Sequence, residues 1–281
     1  MPSINLRGAR VELFERGAGE PVILLHCSAS SGEQWRSLAE RLADRYRVLA
    51  PDLWGYGGTD MWRGGDFSLS SEAEIVLAML HRAGGRAHLV GHSYGGAVAL
   101  RVALRHAPAV KSLALIEPVA LHLLREEHYV DQAALAEISV AADRVKDALA
   151  RGERERGMRE FVDYWSGEGA WGALAEAKRA ALLPRLEKVV LDFHAAFEDP
   201  ARVQDFWPLF MPTLLLQGGR SPLPPRRICS QLSRVLPESR LAIVEGAGHM
   251  LPLTHAERVN ELVAAHLDAA RREQSFQYAA A

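Results

Sequence analysis

The sequence has few cysteines, and its charges of opposite sign nearly cancel. Cys27 and Cys229 are the only two cysteines among 281 residues, too few for a disulfide framework, so we expect both to be reduced in a cytoplasmic protein. Lys and Arg number 33 against 35 Asp and Glu, a net charge of −2. This balance offers no basic surface for nucleic acid or for an anionic membrane.

Long apolar runs and metal-binding motifs are also missing. No apolar stretch reaches the roughly 18 residues that a membrane span needs. The opening residues, MPSINLRGARVELF, lack the basic segment and apolar core of a signal peptide. No CxxC, HExxH or close His/Asp cluster indicates a metal, and we expect no cofactor. Hydrophobic residues make up 48% of the chain and charged residues 24%, ordinary values for a globular enzyme.

Short β-rich runs alternate with helical patterns through the first 117 residues. Continuous apolar runs, typical of buried parallel strands, are EPVILLH (20–26), YRVLAPD (46–52), RAHLVGH (86–92) and VKSLALIEP (110–118). The order predicts an α/β fold with a mostly parallel sheet covered by helices on both faces. INLRGARVELFERG reads as an antiparallel hairpin at the sheet edge. In the helix that starts near FSLSSEAEIVL, we predict Ser71 as the N-cap with Glu74 closing a capping box.

Residues 119–208 differ in character from the chain on either side. The segment is rich in Ala, Glu and Arg and shows helical periodicity without a convincing strand. Strand and helix patterns then resume, with MPTLLLQGG and SRLAIVEGAGH as the strands. The sequence therefore predicts a core domain formed by residues 1–118 and 209–281, with 119–208 as an all-helical cap.

The segment Gly91-His92-Ser93-Tyr94-Gly95 carries the motif G-x-S-x-G. Alone, this pattern is weak, because chance supplies it in an appreciable fraction of chains of this length. Here it lies between a predicted buried strand and a helix, which is the context of a nucleophile elbow. The alternative is an ordinary strand-to-helix turn in which Ser93 only caps the helix.

At this point the chain resembles the α/β-hydrolase superfamily, in its capped serine-esterase-like branch. The resemblance covers nearly the whole length and rests on five segments in order: LLHCSASSGEQW, APDLWGYGGTD, LVGHSYGG, LALIEPV and VEGAGHMLPLTHAERVNELV. It implies an eight-stranded, mostly parallel sheet with helices on both faces and an all-helical cap insertion.

His249 is the candidate base. It lies in the predicted loop after the last strand, behind three small residues, and matches the family's catalytic histidine. His92 lies inside the elbow and should point away from the reacting side of Ser93. His255 and His266 fall on the predicted final helix, where a packed or solvated histidine is expected. The alternative for His249 is a loop histidine with a purely structural role.

The resemblance implies two backbone N–H donors for an oxyanion, those of Tyr94 and Ser28. Where the family usually reads His-Gly-x, this chain has Cys27 in place of the glycine, a departure that bears on the local backbone angles. Cys27 is a rival nucleophile, but no separate base is apparent for it.

The acid is harder to assign. The family most often places it where this chain has Ser221, which cannot carry a negative charge. Glu117 follows the strand next after the nucleophile strand and resembles the arrangement of haloalkane dehalogenases, so we assign the triad to Ser93, His249 and Glu117. Asp52 and Glu245 are the other candidates at strand ends. Glu117 could instead cap a helix or pair with an arginine.

A serine, a histidine and an acid indicate acyl transfer through a covalent acyl-enzyme. A serine nucleophile also speaks against dehalogenase or epoxide hydrolase activity. We predict a hydrolase of small-to-medium apolar carboxylic esters, with Phe161, Trp165 and Trp171 lining the pocket. Cleavage of a thioester, a lactone or a carbon–carbon bond, and perhydrolysis as in cofactor-free haloperoxidases, remain open, as does a non-catalytic receptor. The expected partner is a small-molecule ester, and a homodimer is compatible with the sequence.

Overall fold

A computed structural model of the chain describes residues 2–125 and 129–279, with side chains described up to residue 273. The strands are β1 (Ser3–Leu6), β2 (Ala9–Arg16), β3 (Glu20–Leu25), β4 (Tyr46–Pro51), β5 (Ala87–His92), β6 (Val110–Ile116), β7 (Thr213–Gly218) and β8 (Ser239–Val244). The α-helices are α1 (Arg36–Leu42), α2 (Leu69–Arg82), α3 (Tyr94–Arg105), α4 (Tyr129–Ala150), α5 (Arg154–Ser166), α6 (Ala170–Ala173), α7 (Glu176–Leu182), α8 (Leu186–Glu198), α9 (Leu223–Val235), α10 (Leu251–Thr254) and α11 (Ala256–Ala279). Short 3-10 helices cover Gly32–Trp35, Ala107–Ala109, Leu121–Arg125, Leu183–Arg185 and Val203–Phe206.

The strands form one sheet of eight, in the order β1-β2-β4-β3-β5-β6-β7-β8. The pairs β1–β2 and β2–β4 are antiparallel, and the five remaining pairs are parallel. The prediction of a mostly parallel eight-stranded sheet is confirmed, as is the hairpin at its edge. The carboxyl ends of β5, β6 and β7 meet at one edge, because His92 pairs with Ile116 and Ile116 with Leu216.

Both faces of the sheet are buried. Along β3, Ile23 and Leu25 belong to the core under α2 and α3, whereas Val22 and Leu24 belong to the core under α1 and α11. Successive side chains of a strand point to opposite faces, so a continuous apolar run fills both cores. The helices on both faces follow directly from the apolar runs in the sequence.

Helix α2 begins three residues earlier than we predicted. Its N-cap is Ser68, which accepts a hydrogen bond from the Ser71 amide, while the Ser71 hydroxyl accepts one from the Ser68 amide. Ser71 is therefore the third helical residue and not the cap. The earlier start lets Leu69 pack in the core, where its side chain is almost fully buried.

Helices α4 to α8 lie between β6 and β7, in the segment predicted to be helical. We call residues 119–208 the helical insertion. Helix α4 packs against α5 and α8 inside it and against α9 outside it. Among the described residues, no helix combines the length and apolar character that crossing a bilayer requires. The insertion covers the carboxyl edge of the sheet, where the predicted site residues lie.

Candidate active site

Ser93 lies on a sharp turn between a strand and a helix. It directly follows β5 and precedes α3, with φ 57° and ψ −121°. A residue with a Cβ is strained at this left-handed φ, at a cost on the order of 1–3 kcal/mol. The flanking residues must be small, because a Cβ on Gly91 would lie 2.4 Å from the Gly95 carbonyl oxygen and one on Gly95 2.4 Å from that of Leu25. The local backbone is that of a nucleophile elbow.

His249 lies in the loop after β8, and its ring contacts Ser93. The His249 Nε2 and the Ser93 Oγ are 2.8 Å apart, a normal hydrogen-bond distance. Gly246 turns the loop with a φ of 75°, a conformation that glycine adopts without strain. Both His249 and Ser93 are buried.

Glu117 lies on the other side of the His249 ring. Its Oε2 is 2.6 Å from His249 Nδ1, and its Oε1 accepts a 2.7 Å hydrogen bond from the Gly218 amide at the end of β7. A carboxylate only accepts hydrogen bonds, so Nδ1 carries the proton and Nε2 is left to accept from the Ser93 hydroxyl. Glu117 is fully buried and has a strained φ of 45°. The side chains form one chain of hydrogen bonds, Glu117–His249–Ser93.

The other candidate acids do not reach His249. Asp52 accepts hydrogen bonds from the amides of Gly32 (2.7 Å) and Gly58 (2.9 Å), so its carboxylate holds two turns together. Glu245 is exposed. Ser221 is buried near Gly218, and its hydroxyl makes no hydrogen bond to any described residue.

Ser28 and Tyr94 both border a cavity beside Ser93, as the oxyanion assignment requires. Cys27 does not have a left-handed φ; that conformation falls on Ala29, with φ 58°. Cysteine is therefore tolerated at the position where the family usually has glycine. Burial raises the pKa of the Cys27 thiol to about 12, which disfavours a thiolate and argues against the rival nucleophile.

His92 supports the loop that carries His249. Its Nε2 donates to the carbonyl oxygen of His249 at 2.9 Å, so its Nδ1 accepts from the side-chain amide of Gln34 at 3.2 Å. The other end of that amide accepts from the backbone N–H of Cys27. Burial lowers the pKa of His92 well below its usual value, which keeps the ring neutral. His92 thus links the His249 loop to the loop of Cys27 and Ser28.

A narrow cavity, with a volume of about 20 Å³, lies between Ser93 and the helical insertion. We call it the inner cavity. Its lining from the core consists of Ser28, Ser93, Tyr94 and Val119, and from the insertion of Phe161, Trp165, Val189, Asp192, Phe193 and Ala196. The lining is mostly apolar, with one carboxylate.

Phe161 and Trp165 lie at the inner cavity as predicted, but Trp171 does not. Phe161 and Trp165 are four residues apart on α5 and share one face. Trp171 belongs to α6, which starts after left-handed turns at Gly167 and Gly169, so its side chain leaves that face. It is buried within the insertion and is not among the residues that line the cavity. The structure therefore does not bring Trp171 to the inner cavity.

Helix α8 contributes a wall that the sequence reading missed. Val189, Phe193 and Ala196 follow each other at helical spacing, and Asp192 lies on the same side. An aspartate within an apolar helical face was the signal that could have found this wall.

Asp192 belongs to a buried cluster of charges. The Lys188 ammonium contacts Asp192 Oδ1 and lies 2.8 Å from Glu72 Oε1, while Asp192 Oδ2 accepts from the hydroxyls of Ser28 (2.5 Å) and Tyr56 (2.6 Å). Burial lowers the pKa of Lys188, but the two carboxylates outweigh it and raise that pKa. Burial raises the pKa of Glu72 to about 7. Two carboxylates therefore share one ammonium.

Trp165 separates the inner cavity from a second space. Its ring lies 4.1 Å from that of His249, centroid to centroid, at 34°. On the far side is a groove of about 600 Å³, open to solvent, which we call the outer groove. His249, Trp165, Tyr164, Arg220 and Met250 are among its lining residues. The outer groove therefore meets the His249 side of the site, and the inner cavity meets the Ser93 side.

Comparison with known proteins identifies the family. The sequence model of the Alpha/beta hydrolase family matches residues 22–262. The chain is 28% identical over 263 residues to a pimeloyl-[acyl-carrier protein] methyl ester esterase of Aeromonas hydrophila, covering 90% of this chain and 96% of that protein. It is 25% identical over 271 residues to a 2-hydroxymuconate semialdehyde hydrolase of Pseudomonas putida, covering 91% and 90%.

One relative is much longer than this chain. Polyketide synthase ThaQ of Burkholderia thailandensis is 28% identical over 272 residues, which cover 93% of this chain but only 12% of that protein. Among solved structures, a thermophilic esterase from Thermogutta terrifontis superposes with a TM-score of 0.72 at 24% identity, covering 93% of this chain and 94% of that one. At that identity the likeness shows the fold alone.

Proposed function

The chain belongs to the alpha/beta hydrolase family, and we propose that it is a serine hydrolase that cleaves small-to-medium apolar carboxylic esters through an acyl-enzyme intermediate. The observation that carries the proposal is the unbroken chain of hydrogen bonds from Glu117 through His249 to Ser93, with Ser93 on a strained turn. The esterase and the carbon–carbon bond hydrolase among the relatives support hydrolysis in general.

The proposed reaction runs in two halves. The Ser93 Oγ attacks the ester carbonyl carbon and passes its proton to His249 Nε2, while Glu117 stabilises the imidazolium that forms. The backbone N–H groups of Ser28 and Tyr94 bind the oxyanion. The tetrahedral intermediate collapses, the C–O bond breaks, and His249 returns the proton to the leaving alcohol. Water then attacks the acyl-enzyme by the same route and releases the acid.

We also propose the division into domains that fits this role. Residues 1–118 and 209–281 supply Ser93, His249 and Glu117, and the helical insertion supplies the wall of Phe161, Trp165 and α8. The expected partner is a small-molecule ester.

The experiment is a panel of chromogenic esters of graded acyl length, measured with the wild-type protein and with Ser93→Ala. Wild type should hydrolyse at least the shorter esters, and Ser93→Ala should lose on the order of 10⁴-fold or more in kcat, because the attacking atom is gone. Retention of more than about a tenth of the activity by Ser93→Ala would refute the proposal. Turnover of thioesters, lactones or carbon–carbon substrates with no ester hydrolysis would replace the ester by that substrate class.

A further inference from the structure

The inner cavity and the outer groove, on either side of Trp165, take different parts of the substrate. The leaving alcohol takes its proton from His249 Nε2, so it must lie on the side of His249, and the outer groove borders that residue. The acyl group stays bonded to Ser93, with its oxygen between the donors of Ser28 and Tyr94. Those three residues line the inner cavity, and His249 does not. The acyl group therefore occupies the inner cavity.

The inner cavity limits the acyl group in size. Its volume is about 20 Å³. Roughly 10–15 Å³ of such space is needed to hold one water-sized group, so a longer acyl group must displace side chains of the helical insertion as it enters. The outer groove, with a volume of about 600 Å³, is far larger and open to solvent, so it places a weaker limit on the alcohol.

The charged group in the wall of the inner cavity is a carboxylate, and its partner ammonium lies behind it. Asp192 is the carboxylate among the lining residues, and none of the described lining residues is Lys or Arg. The Lys188 side chain is fully buried, and its ammonium contacts Oδ1 of Asp192 and also pairs with Glu72. An acyl group that enters the cavity therefore meets the carboxylate before the ammonium.

The geometry points to Asp192 as a specificity-determining residue that restricts the substrate to esters of short, uncharged acids and rejects acyl groups with a carboxylate. This inference rests on the proposed ester hydrolysis. Asp192 cannot move away from the cavity easily, because Lys188, Ser28 and Tyr56 all hold its carboxylate. A second carboxylate beside it would be desolvated and would face a like charge.

Three methyl esters of nearly equal shape test the inference. Methyl 4-methylpentanoate is uncharged and apolar, methyl succinamate is uncharged and polar, and monomethyl succinate carries a carboxylate at the same position. Methanol release gives kcat/KM for each. The second carboxylate is desolvated, and it is repelled by a like charge about 5 Å away, which the Lys188 ammonium offsets only in part. Wild type should therefore prefer methyl 4-methylpentanoate over monomethyl succinate by about 100-fold or more. Methyl succinamate should stay within about tenfold of methyl 4-methylpentanoate.

Two variants separate the effect of the Asp192 charge from the effect of its hydrogen bond to Ser28. Asp192→Asn should reduce the preference against monomethyl succinate to about tenfold or less, and it leaves Lys188 paired with Glu72. Ser28→Ala removes the hydrogen bond from Ser28 to Asp192 Oδ2 but keeps the charge of Asp192. The preference should therefore stay within about threefold of wild type, whatever the absolute rate of the variant. Because each ratio is taken within one protein, a general loss of activity cancels.

The outcomes are distinct. Equal use of monomethyl succinate and methyl 4-methylpentanoate by wild type overturns the role of Asp192, and so does equal rejection of methyl succinamate and monomethyl succinate. Either result stands even if Asp192→Asn does not fold. Failure of wild type to hydrolyse any of the three, or of the chromogenic esters, would instead refute the proposed ester hydrolysis.

Discussion

At the scale of single residues, the proposed mechanism depends most on Glu117. Glu117→Gln keeps the size of the side chain but removes the charge that stabilises the imidazolium, and its amide can present a donor to Nδ1 and favour the wrong tautomer. The kcat for a chromogenic ester should fall by roughly 10²- to 10⁴-fold with KM little changed. Steady-state kinetics at a fixed pH measure both constants.

Two matched variants control for Glu117→Gln. Glu245→Gln makes the same chemical change at an exposed position, and Ser221→Ala alters the position where the family usually has its acid. Both should remain within about threefold of wild type. Collapse of either control, with Glu117→Gln near wild type, would move the acid elsewhere.

Ser93, His249 and Glu117 could be chosen from the sequence because each follows a strand, and parallel strands bring their carboxyl ends to one edge. Asp192 and Lys188 could not. They lie on a helix of the insertion, where apolar spacing indicates the buried face of α8 but not which residues that face meets. Their contacts with Glu72, Ser28 and Tyr56 join residues more than one hundred positions apart.

At the scale of helices, we expect different roles for Trp165 on α5 and Trp171 on α6. Trp165→Ala removes the ring that separates the inner cavity from the outer groove, so longer acyl groups should gain relative to short ones. The change in relative kcat/KM should be on the order of 1–3 kcal/mol. A panel of esters of increasing acyl length measures it.

Trp171→Ala is the comparison. Its ring is buried inside the insertion, so the substitution should lower the free energy of unfolding by about 3–5 kcal/mol while the acyl-length profile keeps its shape. Denaturant unfolding gives the first quantity. If Trp171→Ala shifts the profile as strongly as Trp165→Ala, the wall of the cavity is assigned wrongly.

Element boundaries were less predictable than element types. Apolar runs were enough to predict the parallel strands, since a strand that is buried on both faces is apolar at successive residues. The start of α2 could not be predicted in this way, because three serines, at 68, 70 and 71, compete as caps in FSLSSEAE. Burial of Leu69 decides among them, and that contact is tertiary.

At the scale of the whole molecule, buried histidines should make the protein sensitive to acid. Burial lowers the pKa of His26 to about 3 and that of His266 to about 4, both from an unfolded value near 6.5. His26 Nε2 accepts from the Leu53 amide, so protonation would break that hydrogen bond. Below pH 6.5 the unfolded chain binds protons that the folded chain does not, and the free energy of unfolding falls.

The expected size follows from the pKa values. Between pH 6.5 and 4, each of His26 and His266 removes about 3 kcal/mol. Glu72 acts in the opposite direction, because burial raises its pKa to about 7 and the folded state then gains a proton first. It offsets about 3 kcal/mol, so these three groups together leave a loss of roughly 3 kcal/mol. The lowered pKa of buried His92 adds to this loss.

Urea unfolding at pH 6.5 and pH 4 measures this loss. His26→Gln should reduce the difference by about 3 kcal/mol, whereas His194→Gln, at an exposed position, should leave it unchanged. A wild-type protein equally stable at both pH values would contradict the assignment of neutral buried histidines.

The central claim is that Ser93 is an activated nucleophile, and one measurement tests it without knowledge of the natural substrate. A fluorophosphonate readily phosphonylates a serine whose proton is removed by a neighbouring base, with loss of fluoride. The account predicts one adduct per chain, located at Ser93 by peptide mass spectrometry, and no adduct in Ser93→Ala. An unlabelled wild-type protein, or an adduct on another residue such as Cys27, would contradict it.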